Sequence, residues 1–123
     1  ISNESCTVSV KYKWINQNPF KSMFWAVQGM AAELTTGALV MDKIEQSGKN
    51  ISMLVLNNKA SFTKKATGRI TFTCKQGLEV DKAIAKTIET GEGQTIWLNS
   101  VGVNSEGIQV SEFNFEWTLK VKS

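Results

Sequence analysis

Glu33 is the residue with the clearest capacity for chemistry. Between Lys21 and Asp42 it is the only charged side chain, set in a run of otherwise apolar and neutral residues. Burial favours the neutral form of a carboxylate, so an acid held among apolar neighbours is suited to exchanging a proton near neutral pH. Glu33 is therefore a candidate general base or nucleophile. The competing structural role is a buried acid satisfied by a cation such as Lys59, since an unpaired buried charge costs several kcal/mol, roughly. Asn18 lies upstream, before Pro19, the only proline. It is either a helix N-cap or a residue that positions a substrate.

Other polar residues could join these two. Gln28, about one and a half helical turns before Glu33, faces the same cavity or packs as a buried amide. Asn57 and Asn58 can orient water or substrate from the following strand, or simply occupy its edge. Lys64 and Lys65 are point charges suited to a phosphorylated ligand, or a solvated turn. Trp25 belongs to the core or lines a channel. The chain has no histidine, which excludes Ser-His-Asp and Cys-His catalysis and most zinc sites. No metal and no cofactor are expected. Cys6 and Cys74 lack any paired spacing and are expected as two buried, reduced thiols.

The elements that must carry these residues follow from periodicity. Val8, Val10, Tyr12 and Trp14 alternate with Ser9, Lys11 and Lys13, predicting a half-buried strand over 6–14. From Phe20 the period changes, and a long helix is expected over about 20–46, apolar on nearly all sides and hence buried. Ser47-Gly48-Lys49-Asn50 ends it. A membrane span is the competing reading of this length, but Gln28, Glu33, Thr35 and Thr36 are costly in lipid. Strands are expected over 51–63 and 69–75, a short amphipathic helix over 78–90, and strands over 94–103 and 108–122. In the last, Phe113, Phe115, Trp117, Leu119 and Val121 alternate with Glu112, Asn114, Glu116, Thr118 and Lys120.

The order is strand, long helix, two strands, short helix, two strands. It implies one α+β domain over 1–123, with an antiparallel sheet whose one face is packed by the long helix. One sheet cannot cover so apolar a helix, so a homodimer is expected. With 41% hydrophobic and 20% charged residues and a net charge of +3, the composition is that of an ordinary globular domain. The basic residues sit singly or in pairs, so no nucleic-acid partner is expected. No leader pattern opens the chain at Ile1, and a cytoplasmic location is expected.

Several segments resemble a little-characterised branch of the hotdog thioesterase superfamily. They are Asn-Gln-Asn-Pro-Phe at 16–20, Met-Ala-Ala-Glu-Leu-Thr-Thr-Gly at 30–37, Phe-Thr-Lys-Lys-Ala-Thr-Gly-Arg-Ile-Thr-Phe-Thr-Cys at 62–74 and Glu-Trp-Thr-Leu-Lys-Val at 116–121. The resemblance implies a hotdog fold, an antiparallel sheet wrapped around a long central helix. It also implies a homodimer, or a dimer of dimers, acting on acyl-CoA or a related thioester. Asn18 matches the family's Asn before the helix, and Glu33 its acid, which activates water at the thioester carbonyl. A backbone N–H near Trp25 and Ala26 would polarise that carbonyl. Phe24, Trp25 and Ala26 stand where many relatives have His-Gly-Gly, and Val55 falls near a position that often holds Ser or Thr. These departures favour a second reading, a non-catalytic protein that binds acyl groups or another hydrophobic ligand.

Overall fold

Alternation of large apolar and polar residues forces β5 (Gln109–Val121) to be a strand with one dry face. Ser111, Phe113, Phe115, Trp117 and Leu119 are buried on one side, and Glu112, Asn114, Glu116 and Thr118 between them are turned outward. A computed structural model of the chain describes residues 1–11 and 25–122, with backbone alone at Lys11 and Trp25. Around β5 it assembles β1 (Cys6–Lys11), β2 (Ile51–Phe62), β3 (Arg69–Cys74) and β4 (Gln94–Val103) into one sheet. The order is β1-β3-β4-β5-β2, and every neighbouring pair is antiparallel. Among the described residues two helices, α1 (Trp25–Ser47) and α2 (Gly77–Thr90), pack with this sheet. The strand expected to run to Trp14 is described as far as Lys11. The expected start of the long helix at 20–24 lies outside the described residues, as do Asn18 and Pro19.

Both helices end where glycine chemistry dictates. Gly48 and Gly91 adopt positive φ of 69° and 73°, a conformation glycine takes without a Cβ penalty. Val80, Ile84 and Thr87 bury one stripe of α2, and Lys43 of α1 reaches Asp81 of α2 at 3.0 Å. α1 packs against β1, β3, β4 and α2, and more thinly against β5, while β2 lies at the margin of its cover.

Within the single chain α1 is covered on one side only, the side its sequence makes more polar. Met30, Leu34 and Met41 are 73%, 55% and 63% exposed, whereas Gln28, Thr35, Thr36 and Lys43 are buried. The helix has turned its polar residues toward the sheet because the sheet offers them partners. Ser111 Oγ donates to Gln28 Oε1 at 2.7 Å, Thr35 Oγ1 donates to Ser100 Oγ at 2.8 Å, and Trp117 Nε1 donates to Thr36 Oγ1 at 3.0 Å. Among the described residues no buried side-chain nitrogen or oxygen lacks a partner, as buried polar groups require.

Candidate functional site

Glu33 sits on the exposed side of α1, between two glycines one turn away on either side. A Cβ on Gly29 would stand 3.4 Å from the Phe113 ring, and one on Gly37 would stand 3.4 Å from the Trp117 ring. Absence of a side chain at both positions lets the helix settle onto β5 to either side of the acid. The turn itself is pinned, because Thr36 Oγ1 donates to the Glu33 carbonyl at 3.0 Å while accepting from the Trp117 indole.

Two depressions meet at Glu33. One, of about 280 Å³, is bounded by Ala26, Gly29, Met30, Glu33, Asn58, Phe113 and Phe115. The other, of about 360 Å³, runs along Met30, Leu34, Gly37, Ala38, Met41, Met53 and Trp117, again with Glu33. Together they form an open apolar cleft between α1 and β2 in which, among the described residues, Glu33 is the one charged lining residue and Asn58 the one amide. Among the described residues neither side chain has a hydrogen-bond partner.

A β-bulge decides which asparagine lines this cleft. Val55 is opposite Trp117 and Asn57 opposite Glu116, so Leu56 is an extra residue with no partner. Strict alternation from Met53 and Val55 would send Asn57 inward. The inserted residue reverses the parity. Asn58, opposite Phe115, therefore faces the helix side. Asn57 faces away and donates to Glu116 Oε1 at 2.8 Å.

The remaining sequence candidates are placed as follows. Ala26 and Asn58 share the cleft with Glu33. Gln28 is buried against Ser111 of β5 and does not line the cleft. Lys64 and Lys65 are exposed in the segment after β2, where the Lys64 N–H donates to the Val110 carbonyl, and line neither depression. Lys59 does not pair with Glu33. It stands over the Trp97 ring at 5.2 Å, across from Asn114 on the opposite face of the sheet. Trp25 contributes the first residue of α1, and Asn18 lies outside the described residues. The expected burial of Glu33 does not hold for the single chain, since its side chain is exposed.

Sequence reasoning did not single out Gly29, Gly37, Met53, Phe113 or Trp117 as site residues. The signal for the first two was present: Gly29, Glu33 and Gly37 recur at four-residue spacing, which places them on one helix face. Among the described residues there is no cluster of three or more potential metal ligands. No helix among them is long and apolar enough to cross a membrane.

A helix of this length laid over a five-stranded antiparallel sheet in this order is the hotdog fold of thioesterase-like proteins. A protein of unknown function from Pseudomonas aeruginosa, described as a probable thioesterase, superposes with a TM-score of 0.81 at 19% identity, over 97% of this chain and 78% of its own. A protein of unknown function from Chlorobaculum tepidum superposes at 0.84 and 15% identity, over 99% and 80%. A thioesterase from Staphylococcus aureus does so at 0.74 and 15%, over 98% and 88%. At these identities the likeness is one of fold. None of the curated proteins matches the chain. The chain belongs to the family defined by the domain of unknown function DUF4442, whose model matches residues 1–119.

Proposed function

We propose that this protein hydrolyses acyl thioesters of the acyl-CoA type, as a homodimer whose second subunit closes the cleft at Glu33. The observation that carries the reading is the cleft itself: one carboxylate and one amide, both without partners among the described residues, on an otherwise apolar wall. Glu33 takes a proton from water as the water oxygen attacks the thioester carbonyl carbon. The tetrahedral oxyanion is held by N–H groups at the start of α1, near Trp25 and Ala26, where the helix dipole favours negative charge. The C–S bond then breaks, the thiolate leaves, and the proton returns to it. Asn58 orients the water or the carbonyl from the opposite wall. Asn18 positions the substrate, and Lys64 and Lys65 meet the phosphates.

Related structures lend support. Variants of the S. aureus thioesterase carry single alanine replacements of a Gln and a Glu fifteen positions apart, the separation of Asn18 and Glu33 here. The exposed Met30, Leu34 and Met41 supply an apolar face for the second subunit and the acyl chain.

The test is a panel of short- to long-chain acyl-CoAs assayed with the wild type, Glu33→Gln and Asn58→Ala. Loss of general-base catalysis lowers the rate by about 10²–10⁴-fold in the Glu33 variant. Equal rates in wild type and Glu33→Gln remove Glu33 from the mechanism. The second reading, a non-catalytic binder of acyl groups, is favoured by Phe24, Trp25 and Ala26 at the His-Gly-Gly positions. Retention of acyl-CoA without turnover would establish it.

A further inference from the structure

Cys6 and Cys74 are far apart in sequence, yet they are directly opposite in the β1–β3 ladder. In an antiparallel pair, opposed Cα atoms are about 4.5 or 5.5 Å apart, depending on the hydrogen-bonding of the rung, and both values fall in the range a disulfide spans. Both thiols lie on the same, inward face, at 6% and 0% exposure, and both are free. On the next rung, and on the opposite face of the ladder, the Thr7 and Thr73 hydroxyls meet at 3.1 Å, holding the register that sets Cys6 opposite Cys74.

The rung is also the terminal one. Cys6 is the first residue of β1, Cys74 is the last of β3, and β1 is an edge strand of the sheet. Beyond the rung the Gly77 N–H donates to the Glu4 carbonyl at 3.0 Å, so an oxidant reaches the covered thiols when this end of the sheet opens locally.

We propose that Cys6 and Cys74 form a thiol–disulfide site, closing under peroxide to a cross-strand disulfide that staples the edge strand β1 to β3. One thiolate attacks a peroxide oxygen, giving a sulfenic acid and releasing water after protonation. The second thiolate attacks that sulfur and displaces a second water. Two S–H bonds are lost, one S–S bond forms, and hydrogen peroxide is reduced to two waters by the two electrons of the dithiol. The inference is independent of the hydrolytic reading of the cleft.

The experiment is intact-mass measurement and peptide mapping of the wild type after hydrogen peroxide, without prior reduction. The expected result is a mass lower by two hydrogens, a single Cys6–Cys74 cross-linked peptide, recovery of the original mass with a phosphine reductant, and a higher melting temperature in the oxidised form. Cys6→Ala and Cys74→Ala should each abolish the mass loss; should either fail to fold, the wild-type map alone decides. Overturning results are an unchanged mass, oxygen added to either cysteine alone, or a disulfide between two chains.

Discussion

The hydrogen-bond chain from Trp117 through Thr36 to the Glu33 carbonyl invites a double-mutant cycle. Trp117 is 7% exposed and Thr36 fully buried, so neither group can turn to water when its partner is lost. Trp117→Phe removes the indole N–H and part of a ring packed against Gly37. One net hydrogen bond is worth about 1 kcal/mol, and the lost ring area plus the space left behind adds about 1–2 kcal/mol. Thr36→Val keeps the shape but strands the Trp117 N–H and frees the Glu33 carbonyl, at about 1–2 kcal/mol. The 3.0 Å bond between the two side chains is counted in both singles. The double variant should therefore fall short of their sum by about 1 kcal/mol. Equilibrium urea unfolding followed by far-UV circular dichroism at fixed protein concentration measures all four corners. Additivity within roughly 0.3 kcal/mol would refute the claim that this bond is a stabilising contact. Both singles also loosen the turn that carries Glu33, so under the proposed mechanism their hydrolytic rates should drop along with stability.

Asp81→Ala should destabilise the protein by about 1–2 kcal/mol, because it leaves the buried Lys43 ammonium unpaired; Lys43→Met should stay within about 1 kcal/mol of wild type, since Asp81 is half exposed, and urea midpoints separate the two. Gly37→Ala should be tolerated within about 1 kcal/mol, the tight 3.4 Å contact with Trp117 offset by better helix propensity. Gly37→Leu should fill the cleft and raise KM for long acyl chains in a steady-state assay. Burial pushes the pKa of Cys6 up, reinforced by Asp42. Burial also raises that of Cys74, reinforced by Cys6 and Glu79 and opposed by a hydrogen bond from the Gln76 backbone. Both thiols are then protonated at neutral pH, and peroxide closure should accelerate roughly tenfold per pH unit from 7 to 9. A flat rate-against-pH profile would contradict that.

The elements were legible wherever one period held without interruption. Phe113 to Leu119 alternate cleanly, and the structure makes them the dry face of β5. Of Val80, Ile84 and Ile88, which recur at four-residue spacing, the first two mark the buried stripe of α2, while Ile88 is 36% exposed and Thr87 takes the buried place. α1 was readable as a helix but not as to which side is covered, because its polar residues are the ones turned inward. Gln28 accepts from Ser111, Thr35 donates to Ser100 and Thr36 accepts from Trp117, partners supplied from strands more than sixty residues away. Local hydropathy carries no trace of such partners. The choice between Asn57 and Asn58 was hidden for a related reason: a bulge is a property of two paired strands, and only the register against β5 reveals Leu56 as the extra residue. Cys6 and Cys74 likewise meet only through the β1–β3 register. Glu33 was found because a lone carboxylate in an apolar run is visible without any register.

The bulge at Leu56 also governs what the free edge of the sheet can accept. Among the described residues β2 has a strand neighbour on one side only, so its other side presents backbone donors and acceptors to the rest of its surroundings. A straight edge of twelve residues would be a ready template for runaway strand addition. The irregularity between Val55 and Asn57 splits that template into two short runs whose hydrogen-bonding groups are out of step. An incoming strand can pair continuously with one run or the other, but not with both. The residue that brings Asn58 into the cleft thus also limits fibrous, edge-to-edge aggregation of the chain.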